Sequence, residues 1–366
     1  MSSPSKLPIF DGPDLRPSLR SPADLSAAGL IAPQHVAGLG ELAAKYAIAI
    51  TPAIADLIDS GDPHDPIARQ FIPDLAEMRS APHERADPIG DEAHAPVEGV
   101  VHRYPDRVLL KLLHVCAVYC RFCFRRETVG PGGASSLSPE AFADALAYIA
   151  DRPQIWEVIL TGGDPLTMSP RRIASVMRAL GEITHVKIVR IHTRIPVVDP
   201  ARITDALIEA LKSGGKTVYV ALHANHPREL TADARAACAK IIDAGVPMVS
   251  QSVLLKGVND DPIVLADLMR AFVENRIKPY YLHHPDLAPG TAHLRVSLER
   301  GRQLVAALRG RVSGLCQPDY VLDIPGGFGK VPVGPRYIDP AAPAGWRVTD
   351  PDGRQHDYDD PGAHGA

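Results

Sequence analysis

From Arg107 onward, short apolar runs rich in β-branched residues alternate with amphipathic stretches that have helical spacing. This alternation is typical of a parallel sheet whose strands are joined by right-handed helical crossovers. The predicted strands are 107–114, 157–161, 186–194, 217–223, 247–255 and 278–284, and the predicted helices lie near 138–150, 169–181, 200–213, 230–244, 261–275 and 297–309. Six such units predict an α/β fold, a partial (β/α)6 parallel barrel. A flat doubly wound sheet is the alternative.

Polar groups at the ends of the predicted strands favour the barrel. In strand order they are Cys116, the turn Gly162-Gly163-Asp164, Arg194, His223, Gln251 (within the fifth strand) and Asp286. Active sites of parallel barrels collect at the C-terminal ends of the strands. The pattern therefore predicts one site at the barrel mouth.

The most specific motif follows the first predicted strand and reads Cys116-Ala-Val-Tyr-Cys120-Arg-Phe-Cys123. The chain has only five cysteines, which is too few for a disulfide framework. A structural zinc ion takes four protein ligands, and a [4Fe–4S] cluster normally takes four thiolates. Three thiolates on one loop would hold a cluster and leave one iron open. A zinc site completed by His114 is the alternative.

Composition excludes several classes of protein. The 366 residues carry a formal net charge of −4, so no basic excess indicates a nucleic-acid partner. No apolar run is long enough for a membrane helix, and the N-terminus has no signal-peptide core. With free thiols beside a metal site, this predicts a cytoplasmic protein.

Changes in composition and pattern along the chain predict three regions. Residues 1–95 are expected to form an N-terminal helical region, with helix starts at Ser21-Pro22 and Thr51-Pro52 and no catalytic groups in the first 60 residues. Residues 96–331 are expected to form the barrel. Residues 332–366 read as a Pro/Gly-rich tail with a hairpin around Asp350-Pro-Asp-Gly353, packed on this chain or on a second subunit.

A glycine-rich loop, Pro325-Gly-Gly-Phe-Gly-Lys330, precedes one lysine. A phosphate loop of the Walker type needs Gly six residues before the Lys and Ser or Thr after it, but Ile324 and Val331 occupy those places. Lys330 is instead a candidate for covalent binding of pyridoxal phosphate (PLP). Arg103 and Arg107 are candidate phosphate partners, because guanidinium groups match phosphate oxygens.

These motifs together carry a resemblance to a known family. The cysteine spacing, with Phe122 before the last cysteine, resembles the radical S-adenosylmethionine (SAM) enzymes. With the Gly-Gly-Asp-Pro turn, Lys330 and the arginine pair, the chain from about residue 62 to 335 resembles lysine 2,3-aminomutase. The resemblance implies a partial (β/α)6 barrel with a [4Fe–4S] cluster, SAM and PLP. It also implies an isomerase that moves the amino group of L-lysine from C2 to C3, giving β-lysine.

The same resemblance implies a role for each site residue. The cluster ligands would be Cys116, Cys120 and Cys123, and the SAM contacts would be Gly162, Gly163, Asp164, His223 and Gln251. PLP would be bound by Lys330, Arg103 and Arg107, and the amino acid substrate by Arg125 (carboxylate), Asp286 and Asp323 (distal ammonium). Asp164 would accept a hydrogen bond from the SAM ammonium group.

Two departures bear on partners and substrate. Longer members of the family carry a C-terminal cysteine cluster that binds zinc between subunits, whereas this chain has no cysteine after Cys316. A homo-oligomer is therefore possible, but it would lack that zinc site.

His283 and the cysteine loop resemble the branch that makes β-lysine for elongation factor P, whereas the loop before Lys330 resembles the free-lysine branch. The alternatives are the same chemistry on another amino acid and a cluster-binding paralogue without mutase activity. An electron donor such as flavodoxin or ferredoxin is the expected protein partner.

Overall fold

The computed structural model describes residues 16–130, 135–341 and 345–359, and its largest element is a nine-stranded sheet. The strands are β1 (Val100–Tyr104), β2 (Arg107–Leu113), β3 (Glu157–Gly162), β4 (Ile188–Thr193), β5 (Thr217–His223), β6 (Met248–Val253), β7 (Ile277–His283), β8 (Asp319–Asp323) and β9 (Lys330–Pro332). Each strand lies beside its predecessor in the chain. A doubly wound sheet would reverse its strand order at a switch point, so that alternative is wrong.

The sheet is curled, and its two edge strands approach each other. Strands β2 to β8 pair in parallel, while β1 and β9 pair antiparallel at the edges. The backbone N–H of Lys330 in β9 donates to the hydroxyl of Tyr104 in β1 over 2.8 Å. The predicted partial barrel is confirmed, with β1, β8 and β9 added to the six predicted strands.

The N-terminal region is less helical than the sequence suggested. Its helices are α1 (Pro22–Ala27), α2 (Gly40–Lys45), α3 (Pro52–Ala55) and α4 (Ala68–Phe71), and turns and loops join them. Ser21 caps α1 in a capping box, as its sequence pattern indicated. Thr51 does not cap α3, because its hydroxyl donates to the carbonyl oxygen of Val198. The region therefore docks onto the barrel through side chains more than through long helices.

Between the strands run the helices α5 (Pro139–Ala150), α6 (Pro170–Gly181), α7 (Ile195–Val198), α8 (Asp205–Lys212), α9 (Ala232–Asp243), α10 (Pro262–Glu274) and α11 (Leu298–Ala306). The helix starts follow the sequence closely. Ser138, Ser169 and Asp261 each precede a proline, and each side chain accepts a backbone N–H of the first turn. The helix predicted over 200–213 is split, because residues 200–202 form a separate 3₁₀ turn before α8 begins.

Alternate side chains of a strand face either the hydrophobic core or the barrel cavity. In β2, Leu110 and Leu112 are buried in the main hydrophobic core, Arg107 and Leu109 line the barrel cavity, and Val108 belongs to the core and also borders the cavity. Successive side chains of a strand point to opposite faces, so one strand serves both. The barrel interior is thus free to hold polar chemistry while the outer face carries the packing.

The tail forms a small antiparallel sheet of β10 (Ile338–Pro340), β11 (Trp346–Thr349) and β12 (Gln355–Tyr358). It packs on its own chain, because a Cβ on Gly310 would lie 2.7 Å from Cβ of Pro351. In the described parts of the chain, no helix has the length and apolar character needed to cross a membrane.

Candidate active site

One cavity of about 540 Å³ occupies the mouth of the partial barrel. All the predicted site residues except Gly162 line it, namely Arg103, Arg107, Cys116, Cys120, Cys123, Arg125, Gly163, Asp164, His223, Gln251, Asp286, Asp323 and Lys330. They come from regions separated by more than two hundred positions in the chain. The strand-end pattern of the sequence therefore indicated one contiguous site.

The three cysteines of the loop share one wall of this cavity. Burial raises the pKa of the Cys116 thiol well above its usual range, raises that of Cys120 to about 11, and raises that of Cys123. Over the described ranges, no three His, Cys, Asp or Glu side chains converge tightly enough for a single metal ion, so the zinc site completed by His114 gains no support. Three soft sulfur ligands on one loop, facing a roomy cavity, suit an iron–sulfur cluster.

A fully buried carboxylate from the N-terminal region holds the cysteine loop. Glu77 accepts from Nε and Nη2 of Arg121 over 3.0 and 2.5 Å, and also pairs with Arg126. Arg121 lies between the second and third cysteines, and its backbone N–H donates to the carbonyl oxygen of Gln70 over 2.8 Å. Both ends of the segment that carries Cys120 and Cys123 are thereby fixed from outside the barrel.

A second buried ion pair reaches a cysteine directly. Arg194, which follows β4, pairs with the buried carboxylate of Glu229, and its Nη2 lies 3.3 Å from the side-chain oxygen of Gln70. Its other terminal nitrogen, Nη1, lies 3.4 Å from Sγ of Cys120. A fixed cation beside a thiolate would offset part of the negative charge of a bound cluster.

The two glycines of the Gly-Gly-Asp-Pro turn leave room for neighbouring backbone atoms. A Cβ on Gly162 would lie 2.4 Å from the carbonyl oxygen of Leu113, and one on Gly163 would lie 2.1 Å from that of Val115. Gly162 also has a φ of +108°, a conformation that disfavours any side chain. The turn after β3 therefore packs directly on the backbone that leads into Cys116.

Replacing Gly163 with alanine is expected to displace residues 113–115 and misplace Cys116, since backbone atoms cannot yield as a flexible side chain can. We expect a loss of stability of about 1–3 kcal/mol and lowered iron content after anaerobic reconstitution. Gly314→Ala is the matched control, because a Cβ there has no neighbour within 4 Å and the backbone is ordinary. Equal iron content in the two variants would contradict this account.

Asp164, one of the predicted SAM contacts, is buried, and protein donors already surround it. Its carboxylate accepts from the Thr193 hydroxyl over 2.7 Å, the Arg194 N–H over 2.7 Å and the Leu166 N–H over 3.0 Å. Burial raises its pKa despite these donors. The side chain thus ties the turn after β3 to the end of β4, and its predicted contact with an ammonium group stays a proposal.

His223 and Gln251 lie at paired positions on the neighbouring strands β5 and β6 and are hydrogen-bonded to each other. Burial, together with the nearby His283, lowers the pKa of His223 to about 3. The imidazole is therefore neutral at any working pH, with one N–H to donate and one ring nitrogen to accept. Such a pair can recognise the neutral polar edges of a nucleoside.

Lys330 lies at the opposite side of the cavity, at the start of β9. Its ammonium pairs with Asp323, and its Nζ lies 3.2 Å from Nδ1 of His283. Its backbone is fixed by Tyr104, whose ring also carries the guanidinium of Arg107 at 3.9 Å from the centroid. Lys330 and the guanidinium of Arg107, which also pairs with Asp106 over 2.7 Å, thus both contact Tyr104.

Asp91 joins two of the predicted anion-binding arginines. Its carboxylate pairs with Arg103 over 3.2 Å and with Nε and Nη2 of Arg125 over 3.1 and 2.8 Å. Nε of Arg103 is buried and has no hydrogen-bond partner among the described residues. Arg103 and Arg107 both line the cavity, and guanidinium groups match phosphate oxygens, so this part of the cavity suits a phosphate.

Asp286, after β7, lines the cavity and has no ion-pair partner among the described residues. Burial raises its pKa to about 7, and the neighbouring Asp323 contributes to the rise. Two carboxylates therefore share the single cation of Lys330. A second cation entering this corner would stabilise both.

Several supporting residues were missed by sequence reasoning. They are Gln70, Glu77, Asp91, Arg194 as a partner of Cys120, Glu229 and the contact of His283 with Lys330. No local pattern marks the acidic members, because their arginine partners lie far away in the chain. The one available signal was the presence of Arg121 and Arg126 in the cysteine loop, because a buried arginine needs an acidic partner.

Comparison with known proteins agrees with this geometry. The family profile described as the radical SAM superfamily matches residues 110–269. L-lysine 2,3-aminomutase of Clostridium subterminale is 42% identical over 301 residues, which cover 82% of this chain and 72% of that protein. The enzyme of the same name from Escherichia coli is 37% identical, covering 79% and 83%. Glutamate 2,3-aminomutase of Clostridioides difficile is also 37% identical, covering 81% and 70%.

Proposed function

Because this chain belongs to the lysine 2,3-aminomutase family of radical SAM enzymes, we propose that it moves the amino group of L-lysine from C2 to C3 and releases β-lysine. Membership implies a [4Fe–4S] cluster, SAM and PLP as cofactors. The observation that carries the proposal is one cavity that joins three thiols to Lys330 and two buried carboxylates. A protein that merely carried a cluster would gain nothing from burying those charges, which costs desolvation free energy.

On this proposal the cysteine wall serves the radical half of the reaction. Cys116, Cys120 and Cys123 would hold the cluster with one iron open, and Arg194 would hold a positive charge beside it. Together the cluster and SAM supply a carbon radical that takes a hydrogen atom from the substrate. His223 and Gln251 would orient the nucleoside part of SAM. The cavity walls would keep the radical from any other C–H bond. Flavodoxin or ferredoxin is the proposed class of electron donor.

The opposite corner would hold PLP. Lys330 would bind it covalently, and Arg103 and Arg107 would bind its phosphate. PLP supplies a conjugated ring through which the migrating nitrogen can bridge two carbons. Asp91 would keep the guanidinium groups of Arg103 and Arg125 at a fixed separation. That separation would set the distance between the phosphate and the substrate carboxylate held by Arg125.

The charges of the cavity favour lysine over glutamate. Covalent capture of Lys330 would draw its nitrogen away from Asp323, leaving Asp286 and Asp323 without a cation. The distal ammonium of lysine would replace that cation. The side-chain carboxylate of glutamate would instead meet two carboxylates, and such a juxtaposition costs several kcal/mol. The charges of the cavity therefore favour the lysine proposal over the substrate named for the glutamate 2,3-aminomutase relative.

The test is an anaerobic assay with reductant, SAM and a panel of amino acids. We expect L-lysine to turn over at least about a hundredfold more efficiently than L-glutamate, from a difference of roughly 3 kcal/mol or more. Turnover of another amino acid without turnover of lysine would make the substrate assignment wrong while leaving the amino shift standing. No rearrangement of any amino acid would make the aminomutase proposal wrong.

Asp286 makes substrate binding depend on pH. Its pKa of about 7 means that the carboxyl is protonated, and unable to pair with an ammonium, in mildly acidic solution. We expect the Kd for L-lysine, read from the PLP absorbance, to fall by up to about fivefold as the pH rises from 6 to 7 and by up to about tenfold by pH 8, where it levels off. In Asp286→Asn this pH dependence should vanish and binding should weaken by roughly 30-fold or more. A wild-type Kd that is flat over this range would contradict the role of Asp286.

We also propose that the chain divides at about residues 95 and 331, with the central part as the catalytic barrel. Glu77 and Asp91 lie before the first boundary but serve the cysteine loop and the arginines. The N-terminal region would then be needed for a working site, rather than being a removable appendage.

A further inference from the structure

Lys330 has a second polar neighbour besides its carboxylate partner. Nδ1 of His283, at the end of β7, lies 3.2 Å from Nζ of Lys330 and 3.5 Å from Oδ2 of Asp323. Asp323 also pairs with Lys330. The three side chains come from three adjacent strands, so the sheet itself holds them together. A base is therefore built in beside the amine that would capture PLP.

The ion pair with Asp323 keeps Lys330 protonated, so Lys330 needs a base before it can react. An ammonium group has no lone pair, so Lys330 cannot act as a nucleophile until it loses a proton. Asp323 favours the charged form of its partner. Burial opposes ionisation of Asp323, but its contacts with His283 and with the cation of Lys330 prevail and hold its pKa well below the usual range. A carboxylate so stabilised is a weak proton acceptor.

His283 is better suited than Asp323 to accept a proton from Lys330. Burial and the adjacent Lys330 cation lower its pKa, so the ring is neutral and has a lone pair to offer. Nδ1 faces both Asp323 and Lys330, so it donates to the carboxylate in one tautomer of the ring. In the other tautomer the proton is on Nε2, which has no hydrogen-bond partner among the described residues, and Nδ1 has its lone pair available for a proton from Lys330. The titratable groups around the pair are His192 on β4, His223 on β5, Tyr281 on β7, Asp286 after β7 and Asp323 on β8. Of these, only Asp323 is in ion-pair contact with Lys330.

We propose that His283 accepts the proton from Lys330 when PLP is captured and returns it when PLP is passed to the substrate; this rests on the proposed function. One N–H bond of the Lys330 ammonium breaks, its electron pair stays on Nζ, and the proton bonds to the lone pair of Nδ1. The carboxylate of Asp323 then neighbours the imidazolium instead of the ammonium. When a substrate amine displaces Lys330 from the cofactor, the proton moves back from Nδ1 to Nζ. The proton transfer balances in both directions, the aldehyde oxygen of PLP would leave as water on capture, and the substrate amine would enter in its uncharged form.

The test follows PLP capture and needs no mutase turnover. The full chain, carrying its cluster and freed of PLP, is mixed with PLP, and the adduct is followed by absorbance and by borohydride trapping. His283→Ala is expected to capture PLP about a hundredfold more slowly at neutral pH. Alkaline pH, which deprotonates Lys330 directly, and added imidazole, which can enter the space left by the ring, should each restore the rate.

Two further variants separate proton transfer from structure. His283→Gln fills the space but has no base, so it should be slow and insensitive to imidazole. His284→Gln is the matched control, because His284 bonds to the Tyr320 hydroxyl and does not line the cavity, and it should capture PLP at the wild-type rate. Equal rates in wild type, His283→Ala and His283→Gln would overturn the inference while leaving the proposed function intact. Failure of the wild type to form any adduct would overturn both.

Discussion

The Lys330→Ala protein is expected to form no borohydride-reducible PLP adduct, and its mutase turnover should fall by at least roughly a hundredfold. The amine at this position is the only lysine side chain that lines the cavity, so no other lysine of the described chain could replace it. The change also leaves Asp323 buried without its cation. Removing one partner of such a pair costs about 3–5 kcal/mol, so lower stability is expected as well.

Lys330→Arg separates these two effects. Arginine keeps a positive charge beside Asp323 but stays protonated, so it cannot capture an aldehyde. The variant should regain much of the lost stability, measured by chemical denaturation, and should still lack the adduct in mass spectrometry after reduction. A trapped adduct in either variant would mean that another residue binds PLP.

The Glu77→Gln protein is expected to lose about 3–5 kcal/mol of stability and to retain little cluster. Glu77 is 0% exposed and is the shared anion of Arg121 and Arg126. Glutamine would leave two buried guanidinium groups facing a neutral amide, so the segment carrying Cys120 and Cys123 would shift toward water. Iron content, absorbance near 400 nm and the denaturation midpoint report the three consequences separately.

Asp243→Asn is the matched control for Glu77. Asp243 pairs with Arg276 on the surface, where both side chains are more than half exposed. An exposed pair contributes less than about 1 kcal/mol, so cluster content and stability should stay near wild type. A Glu77→Gln protein with full iron content and an unchanged midpoint would show that the cysteine loop does not depend on this carboxylate.

Sequence reasoning recovered the barrel because its signals are local. Strand alternation, Ser-Pro and Asp-Pro helix starts, and a polar group at each strand end are all readable within a few residues. Strands β8 and β9 escaped it for the opposite reason. β8 has five residues and β9 has three. β8 exists because it pairs with β7, which is distant in the chain, and β9 exists because it pairs with β8. The edge contact between Tyr104 and Lys330 belongs to the same class.

The site divides in the same way. Residues whose chemistry is rare, such as three clustered cysteines or a lysine after glycines, could be named from the chain alone. Their supports could not, because a carboxylate such as Asp91 looks like any surface acid until Arg103 and Arg125 are seen around it. Gly162 has a packing role that the sequence did not show, since it permits the close approach of Leu113, and its predicted contact with SAM stays a prediction.

The central claim is an intramolecular amino shift on lysine within this cavity. Its most direct test is an anaerobic reaction of L-lysine carrying ¹⁵N at the α-amino group, with SAM, PLP and reductant, followed by NMR of the product. The account predicts β-lysine with the ¹⁵N bonded to C3. Cleavage of SAM to 5′-deoxyadenosine with the ¹⁵N still bonded to C2 would contradict it.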